Sequence, residues 1–391
     1  MPYLLLALRA TALALLVALP ALAAEASLEN RLSQVFQAIE ANQPDLALKR
    51  VDALIREHPN FRLAHLVRGD LLLARSRPLQ TFGNVAKTVP QEKIADLRDE
   101  ALARLRAQRQ RPSDDRLPRL VLQLNSDQKH VLLVDSRRSR LYVFANSNGR
   151  PRLIADYYVT LGKNGVEKTR EGDQKTPIGV YHVTANLPRQ KLTDFYGSGA
   201  FPINYPNELD RRLGRNGHGI WVHGTPSALY SRPPHASDGC IVLSNPDLQT
   251  VGTYMQVGLT PVIIADEVEW SDAAAVEAER ASLASAFERW RADWETRDAG
   301  RYLDHYSARF SAGGQNLAAW GTHKRSVNAG KTWVEVKLSR VSMFGYPRER
   351  DFVVVTFDQD YRSNNLSNVM RKRQYWSKEA GQWKILYEGA A

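Results

Sequence analysis

The sequence predicts a multidomain α+β protein: a helical amino-terminal segment, a β-rich centre, and a carboxy-terminal α+β unit of one long helix and several strands. Three observations predict it. Apolar residues recur at helical spacing between Leu28 and Leu105, short apolar runs punctuated by glycine, proline and asparagine fill 120–265, and a helical period at 273–298 precedes four strand-like runs. A chain of 391 residues with a 43% hydrophobic share has the material for about three domains with real cores.

The expected organisation is an export signal at 1–24, a helical domain at 25–111, a central domain at 118–267 and a carboxy-terminal domain at 272–391. Arg9 followed by the apolar run from Ala12 to Leu19, then Pro20 and Ala21-Leu22-Ala23, has the charged, apolar and small-residue parts of a cleavable signal. An uncleaved anchor is the alternative. The expected location is therefore the periplasm.

In the helical domain, Leu28, Leu32, Val35, Phe36 and Ile39 share one helix face. Leu48, Val51 and Ile55 share the next, before His58-Pro59. A third helix runs from Phe61 through Leu73, and a fourth over 91–110 carries Ile94, Leu97, Ala101 and Leu105. These pairs resemble tetratricopeptide-type hairpins, with about one repeat's worth present. Such units need neighbours to cover their faces, so packing on the next domain or on another subunit, as in a homodimer, is expected. Arg111-Pro112-Ser113-Asp114-Asp115 reads as a linker.

Strands are predicted at 131–135, 140–144, 153–161, 179–184, 219–223 and 261–265, with a turn at Asn146-Ser147-Asn148-Gly149. Past the helix with Leu283, Phe287, Trp290 and Trp294 on one side, strands are predicted at 333–343, 351–360, 370–377 and 382–387. A long helix followed by curved strands resembles the cone-shaped nuclear transport factor 2-like, or SnoaL-like, proteins. That resemblance implies a pocket that His305, Trp320 and Tyr361 would line; the alternative is that they are core and rim aromatics of a binding or dimerisation module.

The net charge of +11 would raise the question of nucleic acid in a cytosolic protein. In an exported one it points instead to a carboxylate-rich wall polymer, or to anionic lipid headgroups through peripheral membrane contact. A solvated basic surface is the plain alternative.

Cys240 is the one cysteine, so it has no partner in the chain for a disulfide. It ends a Ser237-Asp238-Gly239-Cys240 turn downstream of Val222-His223-Gly224-Thr225. A thiol attacks a carbonyl as thiolate, so it needs a proton acceptor, and His223 at the end of the apolar strand Ile220-Trp221-Val222 is the candidate. A buried structural cysteine is the alternative. Metal binding lacks support: His218 and His223 have no third partner at ligand spacing, and no His-Glu-x-x-His occurs. Gly162-Lys163-Asn164-Gly165 lacks the spacing of a phosphate loop, and His182 and His235 read as structural or surface histidines. No cofactor is expected.

Asp135 and Tyr142 in a strand pair, Gly172-Asp173-Gln174-Lys175-Thr176-Pro177-Ile178-Gly179, His223-Gly224-Thr225 and Ser237-Asp238-Gly239-Cys240 together resemble the YkuD family, the L,D-transpeptidase catalytic domains, over 120–266. The resemblance implies Cys240 as nucleophile and His223 as general base, later general acid. It also implies the Gly224 carbonyl as holder of the imidazole tautomer, and the amides of Gly239 and Cys240 as oxyanion donors. Asn245 matches a recurring asparagine, and Thr176-Pro177 with Gly179 the turn framing the cleft. Two positions depart from the family: Asp238 stands where many members have histidine, and Val242 where many have arginine. Asp238 opposes a thiolate unless it faces solvent or caps the turn. Arg215, Arg232 or Lys163 would then take over recognition of a substrate carboxylate, with Ser237 and Asn245 also assigned to the substrate side.

The substrate implied is the peptidoglycan stem peptide, cleaved between the L-centre of diaminopimelate and the terminal D-alanine through a thioester. An amine from a neighbouring stem would make a cross-link; water would make the protein an L,D-carboxypeptidase. Attachment or detachment of proteins is a further option, and a non-catalytic wall-binding or assembly module is the reading from another class.

Overall fold

The helical periodicity closes into α1 (Leu28–Glu40), α2 (Pro44–Glu57), α3 (Arg62–Ala74) and α4 (Gln91–Arg109) in the computed structural model. The structure describes residues 28–85, 88–113 and 115–391; the expected export signal lies outside them. Proline opens α2, where its missing N–H costs nothing, and His58 closes it ahead of Pro59. Leu32, Val35, Val51, Leu54, Leu63 and Val67 pack into one core that also contains Tyr230, from the central domain. The helices thus close over the neighbouring domain, one of the two arrangements their unfilled faces predict.

The central region contains β1 (Arg116–Pro118), β2 (Val121–Gln123), β3 (His130–Asp135), β4 (Arg140–Ser147), β5 (Arg150–Tyr158), β6 (Leu161–Gly162), β7 (Gly179–His182), β8 (Leu187–Pro188) and β9 (Gly199–Pro202). After α5 (Glu208–Arg212) come β10 (Trp221–His223), β11 (His235–Ser237), β12 (Ile241–Val242), α6 (Asn245–Gly252), β13 (Pro261–Ala265) and β14 (Trp270–Asp272). One sheet has the order β5-β4-β3-β13-β7 and a second β12-β10-β9-β8. Strand alternation assigns the side chains of the first sheet to two cores. Leu132, Val134, Leu141, Val143, Val262 and Ile264 meet Phe201, Val222 and Ile241 of the second sheet. Val131, Leu133, Phe144 and Ile263 face the carboxy-terminal domain. Burial on both faces is why 131–134 and 261–265 read as unbroken apolar runs rather than alternating ones.

The carboxy-terminal domain has α7 (Ala273–Glu295), α8 (Ala299–Leu303), a hairpin of β15 (Ser311–Ala312) and β16 (Gln315–Asn316), α9 (Leu317–Ala329), and long strands β17 (Val334–Tyr346), β18 (Glu349–Ser363), β19 (Leu366–Glu379) and β20 (Gln382–Ala390). Its sheet runs β2-β17-β18-β19-β20. Strand β2 lies within the range expected for the central domain, yet it forms the edge of the cone's sheet through Met343↔Gln123 and Phe344↔Val121. Leu283, Phe287 and Trp290 of α7 join the core shared with the central sheet. Helix α9 was not expected from sequence, because its one fully buried residue is Gly321 and so it lacks an apolar stripe. The Asn316 side chain caps it, accepting from the Ala319 amide at 3.0 Å. Among the described residues, no helix is long and apolar enough to cross a membrane.

Candidate active site around Cys240 and His223

Strands β10 and β12 run parallel, with Val222 opposite Ile241 and His223 opposite Val242. Val222 and Ile241 both point into the core between the two sheets. Alternation then turns Trp221 and His223 to the opposite side of β10, and Cys240 immediately precedes β12, the strand beside it. Cys240 is partly exposed, and its Sγ donates to the Gly219 carbonyl at 3.4 Å.

His223 is buried, 1% exposed, and its Nδ1 lies 2.7 Å from the Gly224 carbonyl oxygen. A carbonyl only accepts, so Nδ1 carries the proton and Nε2 presents a lone pair. Burial pushes the imidazole down to about 4, against the hydrogen bond to Gly224, and Arg232 adds to the lowering. Tyr196 meets the imidazole edge-on at 5.2 Å and Trp221 at 4.8 Å, and the exposed Phe195 lies 5.8 Å from His223. This aromatic wall is held by the Gly224 amide, which donates to the Tyr196 carbonyl at 3.1 Å.

Asn245, in the first turn of α6, braces the same corner. Its Oδ1 accepts from the Ser198 amide at 2.8 Å and its Nδ2 donates to the Thr225 carbonyl at 2.8 Å. A Cβ on Gly224 would lie 2.2 Å from Asn245 Oδ1, so glycine is required there by close approach.

The turn bearing the thiol is fixed in the same way. Gly239 has φ +122°, and a Cβ there would lie 2.6 Å from the Lys175 carbonyl oxygen. Ser237 Oγ donates to the Cys240 carbonyl at 2.7 Å and accepts from the Gly239 amide at 3.2 Å. The Gly239 N–H, expected from sequence as an oxyanion donor, is thus directed at Ser237. Thr176 is fully buried and its hydroxyl accepts from the Gly162 amide at 2.9 Å, closing the 162–176 loop, while the Lys163 amide donates to the Ser237 carbonyl of the turn at 2.8 Å.

Burial pushes the Cys240 thiol up to about 11; Asp238 acts in the same direction, while Arg232 and Lys168 oppose it. Asp238 is exposed and pairs with Lys163 at 2.8 Å, so it faces solvent beside the turn. Lys168 was missed in the sequence: it is a buried amine bonded to Asp173 Oδ1 at 2.7 Å and to the Arg170 carbonyl at 2.9 Å. Burial works against the Asp173 carboxylate, but Lys168 and three backbone amides hold it down to about 2. Arg232 has one guanidinium nitrogen on the Ala236 carbonyl and a buried Nη1 with no hydrogen-bond partner among the described residues. Arg215 is placed elsewhere, on the buried carboxylate of Asp210 at 3.0 Å.

The cone aromatics divide. Tyr361 stacks on Trp294 at 5.3 Å, and the buried Trp320 Nε1 has no partner among the described residues. His305 is bonded to Asp293 at 2.8 Å. Lys324 lies 4.4 Å above the Trp320 ring. A separate cleft of about 940 Å³, lined in part by Asn125, His130, Arg280 and Arg340, contains none of the residues around Cys240. Among the described residues, no group of three or more histidine, cysteine or acidic side chains is arranged to hold a metal.

The L,D-transpeptidase catalytic domain (YkuD) model matches residues 129–264, and the Cds6 C-terminal NTF2-like domain model matches 282–389. Bd1075 of Bdellovibrio bacteriovorus is 30% identical with a TM-score of 0.62, covering 71% of this chain and 98% of its own. The helical cell shape determining protein Pgp2 from Campylobacter jejuni is 25% identical with a TM-score of 0.60, covering 70% of this chain and 95% of its own. No curated protein sequence matches the chain. With the site assembled on the matched segment, the chain belongs to the YkuD family of L,D-transpeptidases and ends in an NTF2-like domain.

Proposed function

We propose that the protein is a periplasmic peptidoglycan L,D-transpeptidase that works through a Cys240 thioester on stem tetrapeptides. The observation that carries this reading is the pairing of β10 with β12, which sets the tautomer-fixed His223 on the strand beside the one that Cys240 immediately precedes. Burial raises the thiol and lowers the imidazole, so the resting pair is neutral thiol and neutral imidazole. The proton moves from Sγ to His223 Nε2 as sulfur adds to the carbonyl between the L-centre of diaminopimelate and D-alanine. The Cys240 amide donates to the oxyanion, as the Gly239 amide is engaged by Ser237. His223 then returns the proton to the departing D-alanine amine, the C–N bond breaks, and the thioester remains. Ser237 and Asn245 hold the two halves of the site. Lys163, partly exposed and paired with Asp238, is the residue we assign to a substrate carboxylate.

An amine from a neighbouring stem resolves the thioester into a cross-link. Water resolves it into a tripeptide, the L,D-carboxypeptidase outcome, and likeness to a protein described as determining helical cell shape favours a role in wall remodelling for either. Incubation of the mature protein with disaccharide tetrapeptide, followed by mass analysis, tests the reading. Cross-linked dimers support transfer, tripeptide supports hydrolysis, and unchanged substrate contradicts both.

A further inference from the structure

The helical domain lies outside both matched segments, 129–264 and 282–389, yet one of its turns grips the surroundings of His223. That turn joins α2 to α3 and is closed by the Phe61 amide, which donates to the His58 carbonyl at 3.0 Å. Its partner is the loop that follows His223-Gly224 along the chain. Asn60 Nδ2 donates to the Ser227 carbonyl at 3.1 Å, and the Tyr230 ring lies 4.8 Å from His58 and 4.9 Å from Phe61. Tyr230 is 5% exposed and sits in the core of the helical domain, although it comes from the central one. Beside it, Ser231 Oγ donates to the buried Glu100 carboxyl of α4 at 2.6 Å.

The loop passes this hold on. Ser227 donates to Asp194 Oδ2 with both its amide, at 3.1 Å, and its hydroxyl, at 3.0 Å. Asp194 opens the 3-10 turn Asp194–Tyr196, which the Gly197 amide closes on the Asp194 carbonyl at 3.0 Å. The rings of that turn lie against the imidazole, Tyr196 at 5.2 Å and Phe195 at 5.8 Å. The far end of the turn is held from within the central domain: the Tyr196 carbonyl accepts from the Gly224 amide at 3.1 Å, and the Ser198 amide donates to Asn245 Oδ1 at 2.8 Å. The near end is different. Asp194 and Phe195 are both exposed, so core packing does not fix them. What holds this end is the Asp194 carboxylate, with Arg189 at 3.4 Å on one oxygen and Ser227, braced by Asn60, on the other.

We propose that Asp194 is a positioning residue that keeps the aromatic turn closed over His223, and that the helical domain reaches the active site through it, by way of Asn60 and Ser227. This rests on the reading that His223 is the base. A covered imidazole exchanges its proton with the thiol and the leaving amine rather than with bulk water. The ring is 1% exposed, and the turn supplies part of that cover. Tyr230 and Ser231 anchor the loop on the helical domain, which keeps Ser227 in register with Asp194.

Diethyl pyrocarbonate acylates neutral imidazole, so its rate at His223, read by peptide mass mapping, measures how well the ring is covered. The rate is taken at neutral pH for the full mature chain and for Asp194→Ala, Asp194→Asn and Asn60→Ala. His182, on β7 and partly buried, is the internal reference. Asp194→Ala should raise the His223 rate about fivefold relative to His182, the equivalent of about one net hydrogen bond. Asparagine keeps an oxygen for Ser227, so Asp194→Asn should restore most of the protection. Asn60→Ala should raise the His223 rate by about twofold to threefold. If Asp194→Ala does not give a native melting transition, Asp194→Leu is read in its place. An unchanged His223 rate in the alanine variant overturns the proposal, as does an equal rise at His182, which reports general loosening, or an asparagine variant as reactive as the alanine one. A wild-type rate for Asn60→Ala overturns the helical domain's part. No peptidoglycan enters the assay, so this outcome is independent of the turnover test.

Discussion

His223 Nδ1 lies 2.7 Å from the carbonyl oxygen of its own neighbour, Gly224, a bond that commits the ring to the tautomer with Nε2 free. Because burial also holds the imidazole down to about 4, the base is in its working form through neutral and mildly acidic pH. Its folded pKa is depressed, so the active neutral form is present above that value and is lost as the pH falls through it. The acid limb of kcat/KM should therefore have its midpoint near 4. A midpoint near the ordinary histidine value of about 6.5 would contradict the neutral resting pair.

Gly239 occupies a conformation and a space that side chains do not share. At φ +122° and with a Cβ contact of 2.6 Å to the Lys175 carbonyl, Gly239→Ala should cost about 1–3 kcal/mol of stability. It should also move the thiol and abolish most turnover. Thermal melting together with product formation checks this; an alanine variant with wild-type melting and turnover would mean the turn is not constrained.

Asn245 bridges the histidine corner by donating to one carbonyl and accepting from one amide. Asn245→Asp keeps the acceptor but sets a carboxylate oxygen against the Thr225 carbonyl, so it should lower kcat well below wild type and destabilise the fold by about 1–3 kcal/mol. Steady-state kinetics and denaturant melts measure both. An unchanged kcat would remove Asn245 from the positioning of His223.

The cone is covalently and physically continuous with the central sheet. Val131, Leu133, Phe144 and Ile263 of that sheet share a core with Leu283, Phe287 and Trp290 of α7, and β2 is hydrogen-bonded to β17. A chain ending at residue 272 should therefore expose an apolar sheet face and aggregate or be digested rapidly. Limited proteolysis and sedimentation test this, with a monodisperse, protease-resistant product as the contrary result.

The legible parts of the sequence were those where local pattern and tertiary role agree. Strand 261–265 is buried at every position, and its apolar run predicted it to the residue. Gly239 and His223-Gly224 stood out because their chemistry leaves a motif. Helix α9 was hidden because its cap, Asn316, precedes a segment without an apolar stripe. The placement of β2 depends on β17, more than 200 residues downstream, so no local signal announces it. Arg232 was one of three interchangeable cations in the sequence. What separates it from Arg215, which is held on Asp210, is a loop pinned by residues as distant as Asn60 and Glu100.

The most direct test of the central claim is the intact mass of the protein after brief incubation with disaccharide tetrapeptide and acid quench, for wild type and Cys240→Ser. The account predicts a wild-type adduct equal to the substrate less D-alanine, localised to Cys240 by peptide mapping and absent from the variant. Processing of tetrapeptide by the Cys240→Ser protein at the wild-type rate would contradict it.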